Sequence, residues 1–147
     1  MKTVNQTVNQ TTGMVSEFYV LSVLLRCGIN ANLTLGNQKK VDIQYTDMNG
    51  INWFIEAKSF KSPDKYNGVH KIFGELLKMS KFAEESENAH LGILVDDEDF
   101  LKKHLKMCNT EKLLGFGQIF ENGITVFISS EKKLTEKTWT ELIKLIN

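Results

Sequence analysis

Cysteine is scarce in this chain of 147 residues: only Cys27 and Cys108 occur, with no CxxC or Cys/His spacing. A disulfide framework and a cysteine zinc site are thereby excluded, and both are read as ordinary reduced thiols. Long apolar runs are missing as well. No stretch approaches the roughly 18 consecutive apolar residues of a spanning helix, and the polar start, Met1 to Gly13, lacks the apolar core of a secretory signal. The expected location is the cytoplasm, with no membrane partner. Net charge is absent too. Eighteen basic residues balance eighteen acidic ones, so no overall field draws the chain onto nucleic acid, and any such surface must come from local clustering.

What remains is 41% apolar and 24% charged, enough to bury one core. Residues 1–12 hold a direct repeat, Thr3-Val4-Asn5-Gln6 and Thr7-Val8-Asn9-Gln10, too polar to anchor; they are expected to form a flexible arm, with 13–147 a single domain. Met14, Phe18, Leu21 and Leu25 recur at helical spacing, and Gly28 suits the stop. Strands are expected near Asn30 to Leu35, Lys40 to Thr46 and Asn52 to Ser59, the last two joined across Met48-Asn49-Gly50. Val69 to Glu85 carries the apolar stripe of a second helix. His90 to Val95 reads as a buried strand, and Asp96 to Asp99 as an acidic helix start rather than a calcium loop, since the glycine and distal glutamate of such a loop are missing. A hairpin is expected across Asn122-Gly123, pairing Gln118 to Glu121 with Ile124 to Ser129, and a last helix from about Thr135. The order helix, three strands, helix, strand, helix, hairpin, helix predicts an α/β architecture: a central mixed β-sheet flanked by helices.

Chemistry concentrates in the second and third strands. Alternation puts Glu56 and Lys58 on one face of the third strand and Ile55 and Ala57 on the other. Asp42 sits between apolar neighbours in the strand before, where an unpaired carboxylate costs several kcal/mol. Whether Asp42 meets Glu56 depends on the turn. A two-residue loop at Asn49-Gly50 sets Asp42 against Ala57. A three-residue loop, with Gly50 in the left-handed position that turn requires, pairs Asp47 with Ile51 and sets Asp42 across from Glu56. Their β-carbons would then lie roughly 5 Å apart, close enough to demand a cation or a proton between the carboxylates. A hard oxygen site with few protein ligands suits magnesium. Glu17, plotted at about 100° per residue, falls on the apolar face of the first helix, from which it points toward the sheet.

From Gly13 to Lys58, with Glu17, Asp42 and Glu56-Ala57-Lys58 in that order, the chain resembles the PD-(D/E)XK nuclease superfamily of restriction-endonuclease-like fold, in particular its Holliday junction resolvase and Mrr-like branches. The resemblance implies a DNA endonuclease dependent on magnesium, with manganese able to substitute. Asp42 and Glu56 would hold the metal, Glu17 would be an accessory ligand, and Lys58 would orient or help deprotonate the attacking water. One departure is plain: Val41, not proline, precedes Asp42. Lys39, Lys40, Lys61, Lys65, Lys71 and His70 are weak candidates for phosphate contacts, with Lys78 and Lys81 as readily a solvated helix face. Gln44 shares Asp42's face and is a possible accessory residue. His90 and His104 read as structural, and Trp53 and Trp139 as core or interface aromatics. Cutting both strands of a duplex or junction implies a homodimer. The alternatives are a catalytically inactive module of the same fold that binds DNA or scaffolds an assembly, and an unrelated interaction domain in which Asp42, Glu56 and Lys58 form a buried ion-pair network.

Overall fold

The computed structural model describes residues 31–33, 43–47, 49–61, 63, 65–130 and 133–146, with the backbone alone at 31–33 and Tyr45. The arm expected over residues 1–12 and the helix expected after Thr12 lie outside the described residues. Among the described residues, six strands form one sheet in sequence order: β1 (Ala31–Leu33), β2 (Ile43–Thr46), β3 (Asn52–Lys58), β4 (Ala89–Val95), β5 (Ile124–Ser130) and β6 (Lys133–Thr138). The pairs β1–β2, β2–β3 and β5–β6 are antiparallel, and β3–β4 and β4–β5 are parallel. Among the described residues, four helices connect or follow them: α1 (Lys65–Ala83), α2 (Glu98–Leu105), α3 (Thr110–Gln118) and α4 (Trp139–Lys144). The sheet is mixed and the class α/β, as the sequence predicts.

Parallel strands need long crossovers, and the apolar stripe of α1 supplies the first. Val69, Ile72, Leu76, Met79 and Ala83 recur at helical spacing and are buried against the sheet. Leu101 and Leu105 of α2, Leu113 of α3, and Trp139, Leu142 and Ile143 of α4 join the same core, which rests on Phe54, Leu91, Ile93, Val95, Val126 and Ile128. Each fully buried aliphatic side chain of this kind stabilises by about 1.5–3 kcal/mol. Ile43, Ile55, Ala57, Leu94 and Phe127 form a second buried cluster on the opposite face. Strands buried on both faces carry near-continuous apolar sequence, which is how Leu91 to Val95 reads.

Short helices depend on their caps. Asp97 Oδ1 accepts from the Phe100 amide at 2.9 Å, with Glu98 and Asp99 in the first turn and Lys102, Lys103 and His104 in the last, each sign at the end the macrodipole favours. Asn109 caps α3 through the Lys112 amide, and Thr138 caps α4 through the Glu141 amide.

Two sequence expectations are overturned. Residues 118–121 are not a strand: Gln118 ends α3, and Asn122-Gly123 joins that helix to β5 rather than forming a hairpin. The Gly123 φ of +68° makes the turn real, but Asn122 Nδ2 donates to the Ala89 carbonyl, which ties the turn to β4. The antiparallel partner of β5 is β6, Lys133–Thr138, in residues expected to open the last helix. That helix begins at Trp139, after the Thr138 cap. The α1 helix also starts earlier than expected, at Lys65, and α3 is an additional helix. Among the described residues no helix is long and apolar enough to cross a membrane.

Candidate active site

The β2–β3 turn sets the geometry of the site. Gly50 has φ +79°, and the Asp47 amide donates to the Ile51 carbonyl at 2.9 Å. Asp47 holds the loop from within: its Oδ1 accepts from the amides of Asn49 and Ile51, and its Oδ2 from the Trp53 indole at 3.0 Å. Burial works against the Asp47 charge, but the Trp53, Ile51 and Asn49 donors and nearby His90 outweigh it, so the carboxyl lies below the usual aspartate range. The outcome is the three-residue loop. Ile43 stands opposite Ile55, Gln44 opposite Phe54 and Thr46 opposite Asn52. This is the register that the three-residue loop requires. Asp42 itself lies outside the described residues, as do Glu17, Lys39 and Lys40.

Glu56 and Lys58 are brought together. Lys58 Nζ is 3.2 Å from Glu56 Oε1, with the two side chains 23% and 7% exposed. A carboxylate so far withdrawn from water is retained in a fold only with charge or hydrogen-bond compensation, and the adjacent ammonium supplies part of it. Both residues lie toward the carboxyl end of β3, level with Ile93 and Val95 of β4. In open α/β sheets the carboxyl ends of parallel strands are the usual place for ligands. Gln44 is exposed, two positions from Glu56 along the sheet face.

Just beyond Lys58 the chain is pinned to β4. Asp96 Oδ2 accepts from Ser59 Oγ at 2.6 Å and its Oδ1 from the Phe60 amide at 2.8 Å. The other acids of this end are engaged too: Asp97 in capping, Glu98 in an ion pair with Lys137, and Asp99 within 3.9 Å of Lys102. Lys61, Lys71 and His70 are exposed and Lys65 is half-buried, so the candidate phosphate contacts among the described residues face solvent at this end of α1. Sequence reasoning missed the role of Asp96, which reads as one more acid in a helix start. It also missed the aromatic cluster behind it. Phe60 packs on Phe100, Phe100 on Tyr66, and Tyr66 on His104, with centroid separations of 4.9, 5.3 and 5.8 Å. His104 is buried, its Nδ1 finds no hydrogen-bond partner among the described residues, and burial, then the neighbouring His70, push its pKa down.

No family model matches the sequence, and no curated protein does. Among solved structures, the chain is similar to the crystal structure of an XisH family protein from Nostoc punctiforme, with a TM-score of 0.53 over 79% of this chain and 91% of that one. The fold is restriction-endonuclease-like. At 16% identity the likeness speaks to the fold alone. Three sheet neighbours fit that topology: an antiparallel pair, β2–β3, running into the parallel trio β3–β4–β5. Among the described residues no group of three or more His, Cys, Asp or Glu side chains is placed to hold a metal ion. Of the candidate ligands Glu17, Asp42 and Glu56, Glu56 is the one described, an oxygen donor on a buried strand.

Proposed function

We propose that this protein is a metal-dependent endonuclease that hydrolyses phosphodiester bonds in DNA, with Asp42, Glu56 and Lys58 as its catalytic residues. The observation that supports the reading most is the β2–β3 register, with Ile43 opposite Ile55; continued by one step, that register would set Asp42 against Glu56. In this reading Asp42 and Glu56 hold magnesium, or manganese in its place, and Glu17 adds a ligand directly or through water. Such an ion, when bound, supplies a Lewis acid and lowers the pKa of a water. Lys58, within 3.2 Å of Glu56, orients the attacking water and offsets negative charge developing at the phosphorus. Gln44 stands at the margin of the site as an accessory residue. Lys39, Lys40, Lys61, Lys65, Lys71 and His70 contact phosphates and hold the scissile strand in register. One site cuts one strand, so breaking both strands of a duplex takes a homodimer.

Cleavage of plasmid, linear and four-way-junction DNA by wild type and by Glu56→Ala, with magnesium, manganese or chelator, tests the proposal. Cutting that needs the metal and vanishes in Glu56→Ala is the expected result. A folded wild type that binds DNA and cuts none of these substrates moves the assignment to an inactive nuclease-fold module for DNA binding or protein assembly.

A further inference from the structure

Tyr66 is 55% exposed in the first turn of α1, eight residues after Lys58. Its ring is braced from behind by Phe100 at 5.3 Å and His104 at 5.8 Å. Phe100 is itself backed by Phe60, which is 4% exposed. The stack is built from the carboxyl ends of β3 and β4: Phe60 follows Lys58 by two residues, Phe100 follows Val95 by five, and Lys58 and Val95 are register partners. A ring so braced, in a residue more than half open to solvent, has little side-chain freedom to lose on binding.

The charges around it suit a phosphodiester chain. Lys65 Nζ lies 5.0 Å from the Phe100 ring centroid and 5.8 Å from that of Tyr66, and neither Lys65 nor exposed Lys61 has a carboxylate partner among the described residues. Of the neighbouring acids at the start of α2, Glu98 is paired with Lys137, Asp96 and Asp97 accept from Ser59 and the Phe100 amide, and Asp99 stands in solvent 3.9 Å from Lys102. An aromatic face with ammonium groups beside it matches a nucleobase and its phosphate. Within a duplex, base faces are covered by their neighbours, so the ring can accept only a base that has left the stack.

We infer that Tyr66, braced by Phe100 and flanked by Lys61 and Lys65, is a stacking platform for an unpaired nucleobase in a single-stranded segment beside the scissile strand. The inference deepens the proposed endonuclease reading and rests on it for the identity of the nucleic acid. Its test is kept separate from cleavage by working in chelator.

The experiment measures fluorescence anisotropy of labelled single-stranded, forked and fully duplex DNA of about 20 nucleotides, longer than one chain's expected site. Wild type, Tyr66→Ala, Tyr66→Phe and Lys65→Ala are compared, with circular dichroism confirming the fold. Tyr66→Ala is expected to weaken binding to single-stranded and forked DNA by about 5- to 150-fold, the loss of one stacked base, and to leave duplex binding within about twofold. Tyr66→Phe is expected to retain binding, and Lys65→Ala to lower the salt dependence on every DNA alike. A 2-aminopurine in the single strand is quenched by wild type and by Tyr66→Phe, and not by Tyr66→Ala. Equal losses on duplex and single strand, or no loss with Tyr66→Ala, overturn the platform. If Glu56→Ala abolishes cutting while Tyr66→Ala leaves single-strand binding intact, the platform falls and the endonuclease stands; selective loss of single-strand binding in a protein that never cuts DNA has the reverse meaning.

Discussion

Replacing Gly117 with alanine is expected to destabilise the protein, although Gly117 lies in a helix where alanine is intrinsically preferred by about 1 kcal/mol. A β-carbon at Gly117 would stand 2.5 Å from Trp139 Cδ1, 3.2 Å from Cγ and 3.3 Å from Nε1. The indole cannot easily retreat. Trp139 is 2% exposed, donates from Nε1 to the Leu113 carbonyl at 2.6 Å, and packs edge-on against Phe73 at 6.0 Å. Forcing extra volume into such a site costs about 1–3 kcal/mol, and a displaced indole N–H left without its acceptor costs about 1–3 kcal/mol more. After the propensity gain of about 1 kcal/mol the net loss is about 1–5 kcal/mol, or a fall in Tm on the order of 2–20 °C for a chain of this length. Gly115→Ala is the control, because none of the described residues lies within 4 Å of its added β-carbon; it is expected to gain about 0.5–1 kcal/mol. Urea unfolding followed by circular dichroism measures both. A Gly117→Ala protein as stable as Gly115→Ala would refute the packing described for the α3–α4 contact.

Gly50→Ala is expected to cost about 1–2 kcal/mol by urea unfolding, because its φ of +79° is a conformation that alanine resists. His104 predicts a pH dependence: its folded pKa lies below the ordinary 6.5, so the unfolded chain binds more protons. The stability held by neutral His104 is therefore complete above 6.5 and is lost as pH falls beneath it through the lowered folded value. Denaturant midpoints between about pH 5 and 8 check this, and His104→Leu is expected to flatten the profile.

The sequence carries the geometry around Glu56 more plainly than the distal half of the sheet, for physical reasons. Gly50 at the third loop position selects one turn, that turn selects one register, and the two-residue period of a strand then puts Glu56 and Lys58 on one face. These are local rules, and β2 and β3 obey them. The α3 helix breaks them: Gly115 and Gly117 depress its helical signal, and Gly117 is there because Trp139, more than twenty residues later, needs the space. Asn122-Gly123 makes a true turn, yet a turn does not choose the partner of the strand it leads into, and β5 pairs with β6. As an edge strand, β6 alternates Lys133, Thr135 and Lys137 with little apolar content, which guards an edge and masks the strand. Asp96 is visible in sequence as an acid but not as the residue that fastens the exit of β3, since its partners Ser59 and Phe60 come from a different strand end. Tyr66 carries no signal in sequence; its meaning comes from the Phe100 and His104 rings behind it.

The proposed pairing of Asp42 with Glu56 is the centre of the account, and isothermal titration of manganese into the metal-free protein tests it most directly. Wild type is expected to bind with one strong site per chain, and Asp42→Asn and Glu56→Gln each to lose that site while keeping the wild-type circular dichroism spectrum. Unchanged manganese binding in both variants, or none in wild type, would contradict the assignment of Asp42 and Glu56 as metal ligands.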